Sequence, residues 1–173
     1  MEILEYFAAE NKAHWLAQIA RADWGAGQYL ARLLGEDRLR DAVGSTALVL
    51  MLTDKERLVS FCTFAPLDDI QPTDLSPWVG FAYTFPAYRG NRCLGRLLDC
   101  AECLATVTGR EAIYISTSHT GLYEKYGYVF YRMDKDISGE DTRVYRKRLT
   151  GDDPDADRRM AMGVRDQAAL ASP

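Results

Sequence analysis

The feature that most narrows the possible folds is an apolar segment that runs directly into a helix. Residues 78–85, Trp-Val-Gly-Phe-Ala-Tyr-Thr-Phe, carry almost no polar side chain, as a strand covered on both faces does. After a tight connection, Leu94, Leu97, Leu98, Ala101, Leu104 and Ala105 recur at steps of three and four, an amphipathic helix that ends at Gly109-Arg110. Residues 112–116, Ala-Ile-Tyr-Ile-Ser, then predict a short strand. Strand, helix and strand in this order make a crossover unit whose two strands run parallel.

Other elements arrange themselves around that unit. Residues 11–41 predict two helices with a break near 23–27, one striped by Trp15, Leu16 and Ile19 and the next by Tyr29, Leu30, Leu33 and Leu34. Residues 46–52 are β-branched and apolar, and residues 58–64 pair with them as a hairpin across the turn Asp54-Lys55-Glu56. A polar loop, 66–77, holds Asp68, Asp69 and Asp74. Beyond the crossover, a short helix near 121–126 stops at Gly127, and residues 128–133 and 143–149 form a closing antiparallel pair. The expected fold is mixed α/β: a largely antiparallel mixed sheet with parallel central strands, flanked by helices. Residues 1–149 make one domain, and residues 150–173 read as a weakly ordered tail or a docking segment, a homodimer contact included.

Charge and composition exclude several partners. A net charge of −4 and a pI near 5.2 argue against gripping a nucleic-acid backbone. The longest apolar run, residues 47–52, is far short of the roughly 20 residues a membrane helix needs. The first residues carry acids where a secretory signal carries Lys or Arg, so the expected compartment is cytoplasmic. Cys62, Cys93, Cys100 and Cys103 are too sparse for a disulfide scaffold. Cys100-Ala-Glu-Cys103 lies inside the helix with no second Cys or His pair, so no metal is expected; Cys100 reads as a packing residue and Cys103 as an exposed thiol.

The chemistry concentrates at residues 85–98, Phe-Pro-Ala-Tyr-Arg-Gly-Asn-Arg-Cys-Leu-Gly-Arg-Leu-Leu. A loop that opens a helix straight after a buried strand presents unpaired backbone N–H groups and the positive end of the helix dipole, which suits a phosphate. Gly90 relaxes the backbone, and Arg89, Arg92 and Arg96 concentrate positive charge in an acidic chain. A solvated helix start with a turn glycine would read the same way.

Pro86-x-Tyr88-Arg89-Gly90 with Leu97-Leu98 resembles the coenzyme A loop of the GNAT superfamily of acetyl-CoA-dependent N-acetyltransferases. Leu122-Tyr123-Glu124-Lys125-Tyr126-Gly127-Tyr128 resembles that family's downstream Leu-Tyr-x-Lys-x-Gly-Phe/Tyr element, and the element order over residues 1–149 resembles its fold. There are departures. The family's loop glycines fall on Arg92 and Leu94, with Gly95 one place late, and its frequent asparagine before the motif tyrosine is Ser116. An arginine holds the backbone further from a phosphate and offers its guanidinium in return.

The resemblance implies acetyl transfer from acetyl-CoA to a primary amine, borne by a small molecule or a peptide, by direct attack in a ternary complex. It implies that Arg89, Gly90, Asn91, Arg92, Cys93, Leu94 and Gly95 hold the pyrophosphate, that backbone groups of Ala82, Tyr83 and Thr84, with Ser116 nearby, hold the pantetheine arm, and that Tyr123 serves the departing sulfur. The competing reading of Tyr123 is a core aromatic at a helix start. A protonated amine must lose a proton before it attacks. Residues 78–85 hold no carboxylate, which leaves Asp68, Asp69, Asp74, His119 or a water as the base. His119 precedes Tyr123 by four residues and would share its helical face if that helix began early. The competing expectation is a non-catalytic acyl-CoA-binding or regulatory module.

Overall fold

The computed structural model describes residues 1–149; the expected tail, 150–173, lies outside the described residues. The chain opens with a strand that hydrophobic periodicity does not reveal, β1 (Glu2–Glu5), followed by α1 (Lys12–Ile19), α2 (Gly25–Gly35) and α3 (Leu39–Val43). The break expected near 23–27 separates α1 from α2, and a further break separates α3. At that second break Asp37 takes a left-handed φ of 55°, its N–H bonds the Leu34 carbonyl, and the Arg38 N–H bonds the Leu33 carbonyl. This reciprocal pair closes α2. Trp15, Ile19, Leu30, Leu33 and Leu34 are buried as the stripes require, whereas Tyr29 lies on the border, 40% exposed.

The remaining elements are β2 (Leu48–Asp54), β3 (Arg57–Ala65), β4 (Trp78–Thr84), α4 (Cys93–Val107), β5 (Ala112–Thr117), β6 (Val129–Lys135) and β7 (Asp141–Arg148). They form a seven-stranded sheet in the order β1-β2-β3-β4-β5-β7-β6. Only β4 and β5 run parallel among the paired strands, as the crossover demands. Asp54 pairs with Arg57 across a tight turn in which Lys55 has φ 56°, so the expected β2–β3 hairpin is present.

Strand alternation sorts the core to the two sheet faces. Val49 and Met51 pack with α1, α2 and α3, and Leu50 and Leu52 pack with α4. Both faces of β2 and β3 are thereby covered, which is why these strands read as unbroken apolar runs. In the last hairpin, β7 lies inside and β6 takes the sheet edge, leaving Val129, Phe130 and Met133 about half exposed. No helix among the described residues is long and apolar enough to cross a membrane.

Candidate active site

The site begins with a defect in β4. Phe61 pairs with Tyr83 and Thr63 with Gly80, so Phe81 and Ala82 together stand opposite Cys62. The extra residue is a β-bulge, and Phe81 takes the strain with φ 49°. A left-handed conformation costs a bulky L-residue roughly 1–2 kcal/mol, a cost that here bends β4 away from its neighbour. The two parallel strands share a single register pair, Trp78 with Tyr114, and diverge beyond it. Backbone groups at 81–84 thus lose β5 as a partner on one edge and face the opening.

The opening is a cleft of ≈ 810 Å³ walled by β4 and by Ser116 and Thr117 of β5. At one end lies the loop into α4. Pro86–Tyr88 form a 3-10 turn, Gly90 follows with φ 81°, and Arg92 caps α4 with φ 55°. No side chain caps the first turn of α4. Its leading N–H groups are therefore available to an anion. Arg92 occupies the left-handed conformation that a glycine would take, while its guanidinium lies 5.9 Å from the Tyr126 ring centre.

Beside this loop is a 3-10 turn, Tyr123–Tyr126, closed by Gly127 with φ 85°. Tyr123 is buried against Tyr128 and Tyr145 and still borders the cleft. Burial, reinforced by the charges of Cys62, Asp68 and Tyr126, raises its phenol above the ordinary range. It stays protonated at working pH and keeps its proton to donate. This turn docks on α4 through Gly95, where a Cβ would stand 2.7 Å from the Tyr126 ring. The glycine one place late in the loop therefore serves helix packing, and the docking couples the anion loop to Tyr123.

No protein-family model and no curated protein sequence matches the chain. Solved structures do match. An aminoglycoside 6'-N-acetyltransferase complexed with coenzyme A superposes with a TM-score of 0.65 at 18% identity, covering 88% of this chain and 99% of that one. The aminoglycoside 6'-N-acetyltransferase from Enterococcus faecium gives 0.64 at 17%, covering 88% and 99%. A GNAT family N-acetyltransferase from Escherichia coli, in complex with coenzyme A, gives 0.61 at 19%, covering 90% and 83%.

This chain has the GNAT fold.

Within the GNAT fold, Ala82, Tyr83, Thr84, Arg89, Gly90, Arg92, Cys93, Leu94, Ser116 and Tyr123 all line the cleft. Three expectations change. Asn91 and Gly95 do not line it: the Asn91 amide donates to the Tyr88 and Arg89 carbonyls at 3.2 and 3.3 Å, bracing the loop, and Gly95 packs on Tyr126. Arg96 leaves the arginine cluster to donate to the Met1 carbonyl at 3.2 Å. His119 shares no helical face with Tyr123, because the helical turn starts at Tyr123, although both border the cleft. Away from the site, Cys103 is half-buried rather than exposed, and Cys100 is buried. No group of three or more His, Cys, Asp or Glu among the described residues is placed to hold a metal.

The structure adds residues that the motifs did not indicate: Asp23, Trp24 and Phe81. Asp23 accepts a short hydrogen bond from the Tyr83 hydroxyl and lies 3.8 Å from Arg89, and the Trp24 ring runs parallel to Tyr83. The only signal for the first two was the helix break in which they sit.

Proposed function

We propose that the protein is an acyltransferase that moves an acetyl group from acetyl-CoA to a primary amine by direct attack in a ternary complex. One observation carries this reading: a single cleft joins an uncapped helix start, a bulged strand that has left its parallel partner, and a buried phenol that stays protonated. The residues fit the co-substrate. Gly90 has open space where a side chain would stand, and Arg89 and Arg92 flank it, so the Arg89–Gly95 loop receives the pyrophosphate, braced by Asn91 and docked by Gly95. Backbone groups of Ala82, Tyr83 and Thr84 on the edge that has left β5 hold the pantetheine arm and polarise the thioester carbonyl, with Ser116 on the facing strand. Tyr123 donates to the sulfur as it departs. The acceptor enters beside Asp23, Trp24 and Phe81, on the α2 side of β4.

The test is coenzyme A release across a panel of primary amines, with mass spectrometry of the products. The reading requires an acetylated product from at least one amine. Binding of acetyl-CoA without turnover of any amine would instead favour a non-catalytic acyl-CoA-binding module.

Arg92 offers a narrower check. Arg92→Gly should leave stability within about 1 kcal/mol of wild type, since glycine adopts the left-handed cap without strain. The variant should bind coenzyme A about five- to tenfold more weakly, the loss of one exposed charge-assisted contact. Calorimetric titration and a thermal melt read the two effects separately. Unchanged affinity would remove Arg92 from the phosphate site.

A further inference from the structure

We infer that Asp68, packed against Gly80 behind the cleft wall, is the general base that takes the proton from the acceptor amine; the inference rests on the acyltransferase reading above.

The β4 sequence has no carboxylate, yet the fold brings one to it. Gly80 lines the cleft immediately before the bulge, and a Cβ there would stand 2.8 Å from the Asp68 carboxyl carbon and 2.9 Å from its Oδ2. Any other residue at 80 would displace that carboxylate. Gly80 borders the cleft and Asp68 does not, so the carboxylate lies against β4 immediately behind that glycine, one residue's thickness from the opening. Its segment is fixed on both sides. The Leu67 N–H bonds the Val43 carbonyl at 3.0 Å, the Gln71 amide bonds the Asp68 carbonyl at 2.8 Å, and the Asp69 carbonyl accepts the Ile137 N–H at 2.7 Å from the last hairpin.

The other candidates are placed less well. Asp74 is exposed, and the carboxylate packed on Gly80 is that of Asp68. The Asp69 carboxyl, raised by burial and by the nearby Asp136 charge, is engaged in a hydrogen bond with the Ser116 hydroxyl. His119 borders the cleft from an exposed loop, its N–H bonded to Thr117 at 3.1 Å. The groups that act on Asp68 are few: the Asp69 charge raises its carboxyl, the Asp69 N–H lowers it, and its own charge is felt by the Tyr123 phenol. Burial dominates and pushes the carboxyl up to about 8. A base poised there is half-ionised near pH 8 and strong enough to draw on an ammonium group.

The steps balance. The Asp68 carboxylate takes one proton from the ammonium group and becomes the neutral acid. The freed nitrogen lone pair forms the C–N bond to the thioester carbonyl carbon, the C–S bond breaks, and the sulfur leaves with that bonding pair. The acetylated nitrogen sheds its second proton and the departing sulfur gains one, with the Tyr123 hydroxyl bonded to it. Asp68 returns its proton to water, so each turnover releases one proton with the amide and coenzyme A.

The experiment measures kcat/KM for an accepted amine from pH 6 to 10, together with acetyl-CoA affinity, in wild type, Asp68→Asn, Asp68→Glu and the control Asp74→Asn. Wild-type activity should rise with pH and level off above about 8. Asp68→Asn should lose about 100-fold or more, the usual contribution of a general base, and lose that acid limb, while acetyl-CoA binding stays intact. Asp68→Glu should recover part of the rate with a displaced limb, and Asp74→Asn should match wild type. Near-wild-type activity and an unmoved limb in Asp68→Asn would overturn the assignment. If Asp68→Asn fails to fold, Asp68→Glu decides: a displaced limb supports the base and an unmoved one overturns it. Failure of wild type to bind acetyl-CoA would contradict the acyltransferase reading itself, a separate outcome. Stability supplies a readout of opposite sign. A carboxyl raised in the fold stabilises at acid pH and loses that contribution as pH climbs from about 4 toward 8. Asp68→Asn should therefore melt higher than wild type at pH 8, with the difference closing toward acid pH.

Discussion

Tyr123→Phe lowers kcat roughly 100-fold and leaves acetyl-CoA affinity at the wild-type value. The phenol is buried and raised, so it remains a donor throughout the working range. A thiolate of pKa about 8.5 would take a full proton from an ordinary phenol only at a cost of roughly 2 kcal/mol, and a raised phenol makes that transfer harder still. In the proposed reaction Tyr123 therefore acts through a hydrogen bond that strengthens as charge gathers on the sulfur. Removing one such donor from a water-poor site costs about 10²-fold in kcat. Phenylalanine keeps the ring contacts with Tyr128 and Tyr145, so the fold tolerates the change. Single-turnover kinetics and a calorimetric titration separate the two quantities. An unchanged kcat would return Tyr123 to a packing role.

The second large effect is on stability. Lys147 of β7 places Nζ 2.7 Å from Glu102 Oε2 of α4 and 2.9 Å from the Tyr126 carbonyl, with the two side chains only 17% and 10% exposed. Three elements meet at that ammonium: α4, the 3-10 turn of Tyr123 and the sheet. Burial raises the Glu102 carboxyl, and Lys147 draws it back down. Lys147→Met strands Glu102 and should cost about 3 kcal/mol, a fall in Tm of roughly 6–12 °C for a domain of this size. The deficit should shrink in acid, where Glu102 is protonated. Lys147→Met with Glu102→Leu should recover most of the loss, because removing both charges leaves none stranded. Denaturant unfolding of the single and double variants measures this, and a single variant as stable as wild type would contradict it.

Much of the architecture is legible because burial on both faces leaves a mark in composition. Residues 78–85 and 46–52 are apolar throughout, and they become central strands with a helix layer on each side. β1 left no such mark. It spans four residues, and Glu5, its last, is buried; its carboxylate accepts the Val49 N–H at 3.2 Å and the Ala8 N–H at 2.8 Å, the first from a strand far along the chain.

The site divides on the same line. Local backbone chemistry, a tight connection into a helix with Arg89, Gly90 and Arg92, can be read from spacing. What the bulge does to Phe81, or how Asp23 and Trp24 reach Tyr83, depends on β3 and α2 and cannot. Arg96 shows the limit most simply: it belongs to the arginine cluster in sequence, but the helix turns it toward Met1. Asp68 is the converse case. Its loop looks like a solvated acidic stretch until β4, with glycine at 80, is laid beside it.

All of these roles assume that the cleft between β4 and β5 takes acetyl-CoA, and one measurement tests that directly: calorimetric titration of the full chain with acetyl-CoA, repeated at low and high salt. The expected result is one saturable site per chain that weakens as salt screens Arg89 and Arg92 from the pyrophosphate. Absence of saturable heat at millimolar acetyl-CoA in low salt would contradict it.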